Sequence, residues 1–279
     1  MSLRIPNVLS IAGVDPSGGA GLLADIKTFS ALGAYGCGVV AALTAQNTQA
    51  VAGVHVPPVA FLRQQLDTLF ADVPLQAVKI GMLGGAEVVA TVADVLAREA
   101  QRNVVLDPVM VAKSGDHLLA RSAIAMLREA LFPQAFMITP NLPEAAVLLE
   151  QGAPETVREM YRAAERLREL LPTSDQRWVL LKGGHLPGSE LTDLLFDGDR
   201  MIELHSRRQD TKNTHGTGCA LSSAIAALLP QRGDQLHPVE AAVRDAHRWL
   251  AQAIATSGQL AVGHGHGPVH HLNALWRTP

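Results

Sequence analysis

Apolar and polar positions along the chain fall into two alternating patterns. Short, nearly continuous apolar runs at residues 5–12, 36–43, 75–80, 103–106, 135–138 and 177–181 predict strands. Between them, at 20–32, 59–70, 86–100, 118–131 and 157–170, apolar positions recur at helical spacing. Strand and helix in repeated succession predict an α/β domain with a mostly parallel sheet. The strands show little polar alternation because a parallel sheet is buried on both faces. The pattern changes towards the C-terminus. Residues 191–196 and 201–205 flank Asp197-Gly198 and predict a β-hairpin. Helices at 217–229 and 238–256 follow. No internal repeat, low-complexity tract or long linker interrupts the pattern, so residues 1–279 are expected to form one domain.

Composition narrows the function. The chain has 279 residues, 48% hydrophobic, with a formal net charge of -3. No dominant basic surface is implied, and aromatics are only 4%, which argues against nucleic-acid binding. No apolar run reaches the roughly 18 residues of a spanning helix, and the first residues carry no apolar leader, so no membrane or secretory segment is expected. Two cysteines, Cys37 and Cys219, make no disulfide framework, and a reducing cytoplasm is the expected compartment.

The chemistry concentrates in glycine-rich turns. Asn213-Thr214-His215-Gly216-Thr217-Gly218-Cys219 precedes an Ala/Leu/Ser-rich helix. Its glycines allow a tight turn and close approach to a ligand. The first amides of the following helix lack intrahelical partners and, with the helix dipole, form an anion site. A thiol there is expected to have a lowered pKa, which would let Cys219 accept a proton from an attacking hydroxyl or orient it. The bland alternative is a connector with a buried cysteine. No Gly-Lys-Ser/Thr follows, so this is no Walker loop, and a dinucleotide fingerprint belongs after the first strand.

A second glycine loop, Gly13-Val14-Asp15-Pro16-Ser17-Gly18-Gly19-Ala20-Gly21, lies between the first strand and first helix, with spacing wrong for a dinucleotide. Ligands of α/β sheets bind beyond the carboxyl ends of strands, so this loop, with Asp15 and Asp25, is a candidate pocket wall. Asn141 and Glu144 have capping-box spacing, and they also suit orientation of metal-bound water near phosphates. Asp107 ends a strand and is a candidate indirect metal ligand. Lys182, before Gly183-Gly184-His185, offers a point charge to phosphate beside glycines that permit close approach. His264, His266, His270 and His271 are spaced by glycines and a proline without a fixed face, so a packed tail is expected rather than a metal site.

Taken in order, these segments resemble the hydroxymethylpyrimidine/phosphomethylpyrimidine kinases of thiamine biosynthesis, within the ribokinase-like superfamily. The resemblance runs from residues 11–21 and 27–36 through Ala45-Gln46-Asn47-Thr48, Lys79-Ile80-Gly81-Met82-Leu83 and Ala112-Lys113-Ser114-Gly115. It continues in Thr139-Pro140-Asn141-Leu142-Pro143-Glu144-Ala145, residues 182–185, residues 213–219 and Gly265-His266-Gly267-Pro268-Val269. It implies a three-layer α/β/α sandwich, a homodimer, and ATP with Mg2+. It implies phosphorylation of 4-amino-5-hydroxymethyl-2-methylpyrimidine and then of its monophosphate. By matching motifs, Gly13, Asp25, Gln46 and Met82 would line the pyrimidine pocket. Asn141, Glu144, Lys182 and Thr211 would attend the nucleotide, Asp107 and Glu144 the metal through water, and Gly216, Thr217, Gly218, Cys219 and Lys182 the transfer. Where this chain has Cys219, many ribokinase-like sugar kinases look to have an aspartate base. Three rivals stand beside this reading: a pyridoxal kinase, a non-catalytic ligand sensor, and a dehydrogenase.

Overall fold

The computed structural model describes residues 5–110, 121–173 and 176–276. The segment Ala112-Lys113-Ser114-Gly115 and the start of the helix expected at 118–131 lie outside them.

Among the described residues nine strands form one sheet: β1 (Asn7–Val14), β2 (Tyr35–Gln46), β3 (Val51–His55), β4 (Ala77–Ile80), β5 (Val104–Leu106), β6 (Met137–Ile138), β7 (Trp178–Leu181), β8 (Glu190–Phe196) and β9 (Met201–Arg207). Their order is β3-β2-β1-β4-β5-β6-β7-β8-β9. The six strands from β2 to β7 in that order pair in parallel, while β3, β8 and β9 add antiparallel edges. The expected hairpin is β8–β9, with Phe196 opposite Met201. The chain reverses direction across the sheet between β1 and β4, where an open α/β sheet leaves a crevice beyond the strand ends.

The described residues also form eight α-helices, which cover the sheet: α1 (Gly21–Ala31), α2 (Val59–Phe70), α3 (Ala86–Arg98), α4 (Arg121–Met126), α5 (Leu142–Leu149), α6 (Val157–Glu169), α7 (Thr217–Leu228) and α8 (Pro238–Ala255). The helix expected over 118–131 is thus α4, continued by a wider π turn at Leu127–Leu131. Strand residues alternate between the two faces, as the period of two requires. Ile11, Val78, Ile80, Val104 and Leu106 pack with α2, α3, α5 and α6. Val8, Ala77, Val105, Met137 and Leu180 pack with α1, α7 and α8.

The same alternation aims Ser10 and Lys79 at the α1–α7 side, where they meet Asp25. Lys79 Nζ lies 2.9 and 2.8 Å from the two Asp25 carboxylate oxygens, and both side chains are fully buried. Ser10 and Ser223 each donate to Asp25 at 2.6 Å. Removing one member of such a pair leaves an uncompensated buried charge and costs about 3–5 kcal/mol. This overturns one expectation. Asp25 does not wall the ligand pocket; its helix position turns it inward, and its oxygens are consumed by Lys79 and two serines.

The sequence pattern predicts no strand at β3. It is short and mostly exposed, with Ala52 and Gly53 in a five-residue run, so the sequence carries no buried-strand signal there. Its pairing with β2 shifts register between Ala45 and Gln46, and the β1–β2 ladder shifts between Ala12 and Gly13. Such irregularities re-aim side chains, and both fall at the cavity rim.

Candidate active site

The crevice at the strand ends is a cavity of about 470 Å³. One end is walled by Gly13, Thr44, Gln46 and Met82; the other by Asp107, Asn141, Glu144, Lys182 and the Gly216–Cys219 turn. Gly13 donates its N–H to Met82 O at 3.0 Å, and a side chain on Gly13 would fall 2.9 Å from Met82 Cε. Gly13 is therefore the residue that lets the Met82 side chain sit there. The Thr44 hydroxyl, 2.9 Å from Val14 O, lies 3.1 Å from Gln46 Oε1 and fixes the carboxamide.

At the other end, Gly216 is the N-cap of α7 with φ 77°. A Cβ there would lie 1.8 Å from Gly19 O, so only glycine fits. Ala220 N–H closes the first turn onto Gly216 O at 2.8 Å. The amides before it, at Gly218 and Cys219, have no place in the helical ladder and belong to residues that line the cavity. The serines of α7 tie it to its surroundings: Ser222 bonds its own Gly218 O at 3.0 Å and reaches Asp107 Oδ2, at the end of β5, at 3.4 Å, and Ser223 bonds Asp25 on α1.

Lys182 Nζ donates to Asp107 Oδ1 at 2.8 Å, and Thr139 Oγ1 donates to the same oxygen at 2.9 Å. Burial favours the neutral form of Asp107, but the charges of Lys182 and Lys79 outweigh it and lower its pKa. Burial pushes Lys182 down, while Asp107 and Glu144 more than offset it and raise it, so the ammonium stays charged. Asn141 and Glu144 form a complete capping box on α5, with bonds of 2.8 and 2.9 Å. Burial, helped by the Asp107 charge and opposed by Lys182, pushes Glu144 up to about 7. The capping role and the cavity position coexist.

Three expectations change. Cys219 does not have a lowered pKa. Burial raises it, Asp25 and Asp107 add to the rise, and Lys79 with the Gly21 N–H only partly counters. Thr211 is not part of the cavity wall; its hydroxyl accepts the Asn213 N–H at 3.1 Å within the preceding turn. Gly183 is required by packing rather than by a phosphate, since a Cβ would fall 2.0 Å from Thr192 O on β8. Of the histidine tail, His270 and His271 are buried, while His264 and His266 are exposed.

The Asp15–His215 pair was not singled out from the sequence. Both residues line the cavity and are buried, 2.7 Å apart. Each partner lies in a glycine segment that the sequence marks, Asp15 in residues 13–21 and His215 in residues 213–219, but no local pattern pairs them.

With this geometry in place, residues 15–270 match the family described as phosphomethylpyrimidine kinase. The chain belongs to that family. Membership makes it a kinase, with the ribokinase-like fold expected of one. An Escherichia coli hydroxymethylpyrimidine/phosphomethylpyrimidine kinase is 50% identical over 270 residues, 97% of this chain and 98% of that protein. A Rhizobium meliloti protein of the same description is 47% identical over 269 residues, 96% and 98% of the two chains. Among solved structures, a Clostridium difficile phosphomethylpyrimidine kinase superposes with a TM-score of 0.76 at 37% identity, covering 90% of this chain and all of that one. An ADP complex of Bacillus subtilis pyridoxal kinase gives 0.84 at 32% identity, covering 96% and 98%.

Proposed function

We propose that the protein transfers the γ-phosphoryl group of ATP to the hydroxymethyl oxygen of 4-amino-5-hydroxymethyl-2-methylpyrimidine, and then phosphorylates the monophosphate to the diphosphate, in thiamine biosynthesis. One observation carries this reading. The position a Gly218 Cβ would occupy lies 3.2 Å from Lys182 Nζ and 3.6 Å from Asp107 Oδ2. The first turn of α7 and a fixed cation thus meet, as stabilisation of a transferring phosphoryl group requires, with Asp107 beside them to hold a metal ion through water.

The pyrimidine sits at the Gln46–Met82 end. Gln46 offers both a donor and an acceptor to the aminopyrimidine edge, and Met82 supplies a polarizable apolar wall. The hydroxymethyl then points at the Gly216–Cys219 turn. The first step releases a proton and the second does not, because the attacking phosphate oxygen is already ionised. The residues fit Mg2+: this ion keeps several waters and takes one or two carboxylates plus substrate phosphates. Asp107 Oδ1 is taken by Lys182 and Thr139, and Glu144 Oε2 by the Asn141 N–H, so both would reach the ion through water. Bound there, Mg2+ would neutralise charge on the phosphates.

We place the enzyme in the cytoplasm, consistent with two free cysteines, and as a homodimer. Leu43, Val54, Val56 and Phe61 are exposed around the β2–β3 edge and α2, and support a second copy covering that face. Light scattering of wild type and of Val54→Asp checks this: a dimer that the variant splits is expected. Pyridoxal or pyridoxine is the second reading, favoured by the likeness to pyridoxal kinases from Bacillus subtilis and Staphylococcus aureus, the latter solved with AMP-PCP and pyridoxal at a TM-score of 0.86.

A coupled assay of ATP consumption with the hydroxymethylpyrimidine tests the main reading. Mono- and diphosphate products by mass are expected, with pyridoxine turned over more slowly. No ATP consumption with any hydroxymethyl heterocycle would return the ligand-sensor alternative.

A further inference from the structure

Asp15 and His215 stand 200 residues apart in sequence and join the two glycine loops. Asp15 collects the Ser17 N–H at 2.8 Å, the Ser17 hydroxyl at 2.7 Å and the Ala20 N–H at 3.0 Å, which fixes the first loop. Burial opposes ionisation of Asp15, but the hydrogen bonds from His215 and Ser17 outweigh it and hold the carboxyl below its ordinary range. An ionised carboxylate only accepts, so His215 Nε2 carries the shared proton and donates it.

His215 is also anchored from behind. Its backbone N–H donates to Gly267 O at 3.0 Å, and His215 pairs with Pro268 as an isolated bridge. Its ring leaves no room beside Gly19, where a Cβ would fall 2.3 Å from His215 Cδ2. The next residue, Gly216, presses on Gly19 O. Gly19 is therefore clamped between the imidazole and the phosphoryl-transfer turn. Gly13, at the start of the same loop, walls the pyrimidine end.

We propose that His215, held by Asp15, is a positioning residue for phosphoryl transfer: it locks the Gly216–Cys219 turn in register with the loop that carries the acceptor. This rests on the kinase reading above. Acceptor and donor sites belong to segments far apart in the chain, and an error of about 1 Å between them costs on the order of 100-fold in rate. A direct bond between the two loops is the shortest way to suppress that error.

The test compares wild type, His215→Ala and His215→Gln, the last of which can still donate to Asp15. Two readouts are taken on folded protein checked by melting. The first is kcat and KM for the hydroxymethylpyrimidine. For His215→Ala, kcat is expected to fall about 10- to 100-fold with little change in KM for either substrate, and His215→Gln should recover most of the loss. The second needs no turnover: the rate at which iodoacetamide labels Cys219, followed by peptide mass. Freeing the turn should raise that rate about tenfold or more in His215→Ala and much less in His215→Gln. Unchanged labelling, or a Gln variant as slow as the Ala variant, overturns the positioning role. Labelling that shifts as expected in a protein whose wild type phosphorylates no pyrimidine leaves the clamp standing and removes the functional reading instead.

Discussion

Lys182 Nζ and Asp107 Oδ1 meet at 2.8 Å at the ends of β7 and β5, although 75 residues separate them. The Lys182 side chain is 13% exposed and that of Asp107 2%, so water screens the pair weakly. Lys182 therefore faces the cavity and also neutralises a buried carboxylate.

The first prediction separates those roles. Lys182→Met should lower kcat by about 100- to 1000-fold, the scale for losing one stabilising donor at a transferring group. It should also destabilise the fold by about 3–5 kcal/mol, because Asp107 is left unpaired. Adding Asp107→Asn should restore much of the stability and none of the activity. Urea unfolding and steady-state kinetics of the three proteins check this; a double variant no more stable than the single one contradicts it.

Gly216 and Gly218 should differ sharply. An alanine at 216 meets a left-handed φ and a backbone carbonyl that cannot withdraw. We expect Gly216→Ala to lose about 2–4 kcal/mol of stability and nearly all turnover. At 218 the obstacle is the flexible end of Lys182, so Gly218→Ala should fold with little loss and fail mainly in kcat. Melting temperatures measured beside initial rates distinguish the two.

Cys219 is raised, so at neutral pH it is a thiol, and only its scarce thiolate is competent to accept a proton. If it takes the hydroxymethyl proton, the first phosphorylation should still be accelerating at pH 9.0, the ordinary thiol value, while the second should be flat. Cys219→Ala should then slow the first step by about 100-fold or more and the second far less. Single-turnover rates of each step against pH provide the measurement. Equal loss in both steps would assign Cys219 to shaping the anion hole alone.

His271 predicts acid sensitivity. Burial, then the charge of Lys27 and the neighbouring His270 and His215, hold its pKa at about 3 against an ordinary 6.5. Between those values the unfolded chain binds a proton that the folded chain refuses. Stability from this group is complete above pH 6.5 and is lost as pH falls towards 3, about 3 kcal/mol by pH 4. Glu144, raised to about 7, gives the opposite slope between its ordinary 4.5 and 7, so comparison with a variant is needed. His271→Leu should flatten the acid loss relative to wild type in denaturant midpoints at pH 7 and pH 4.5. An unaltered slope would rule His271 out as its source.

How much was legible beforehand depended on how local each interaction is. The alternation of strand and helix, the Asp197-Gly198 hairpin and the Asn141–Glu144 cap are written within a few neighbouring residues, and the structure has all three. The glycine at 216 was legible as a turn, and its collision with Gly19 was not, because the two lie in different segments. β3 escaped because an exposed edge strand needs no apolar pattern of its own.

The sequence by itself determined the order of elements apart from β3, the family and most of the cavity's residues, since those follow from periodicity, turn chemistry and motif. Only the tertiary structure decided which charges face the cavity. Asp15 and Asp25 lie ten residues apart, one at the cavity with His215 and one sealed beneath it with Lys79. The same packing set the Cys219 thiol: a helix N-terminus alone favours a thiolate, but burial beside Asp25 and Asp107 reverses the sign. Desolvation and charge pairing depend on what the fold brings near from distant segments, and no local pattern carries that information.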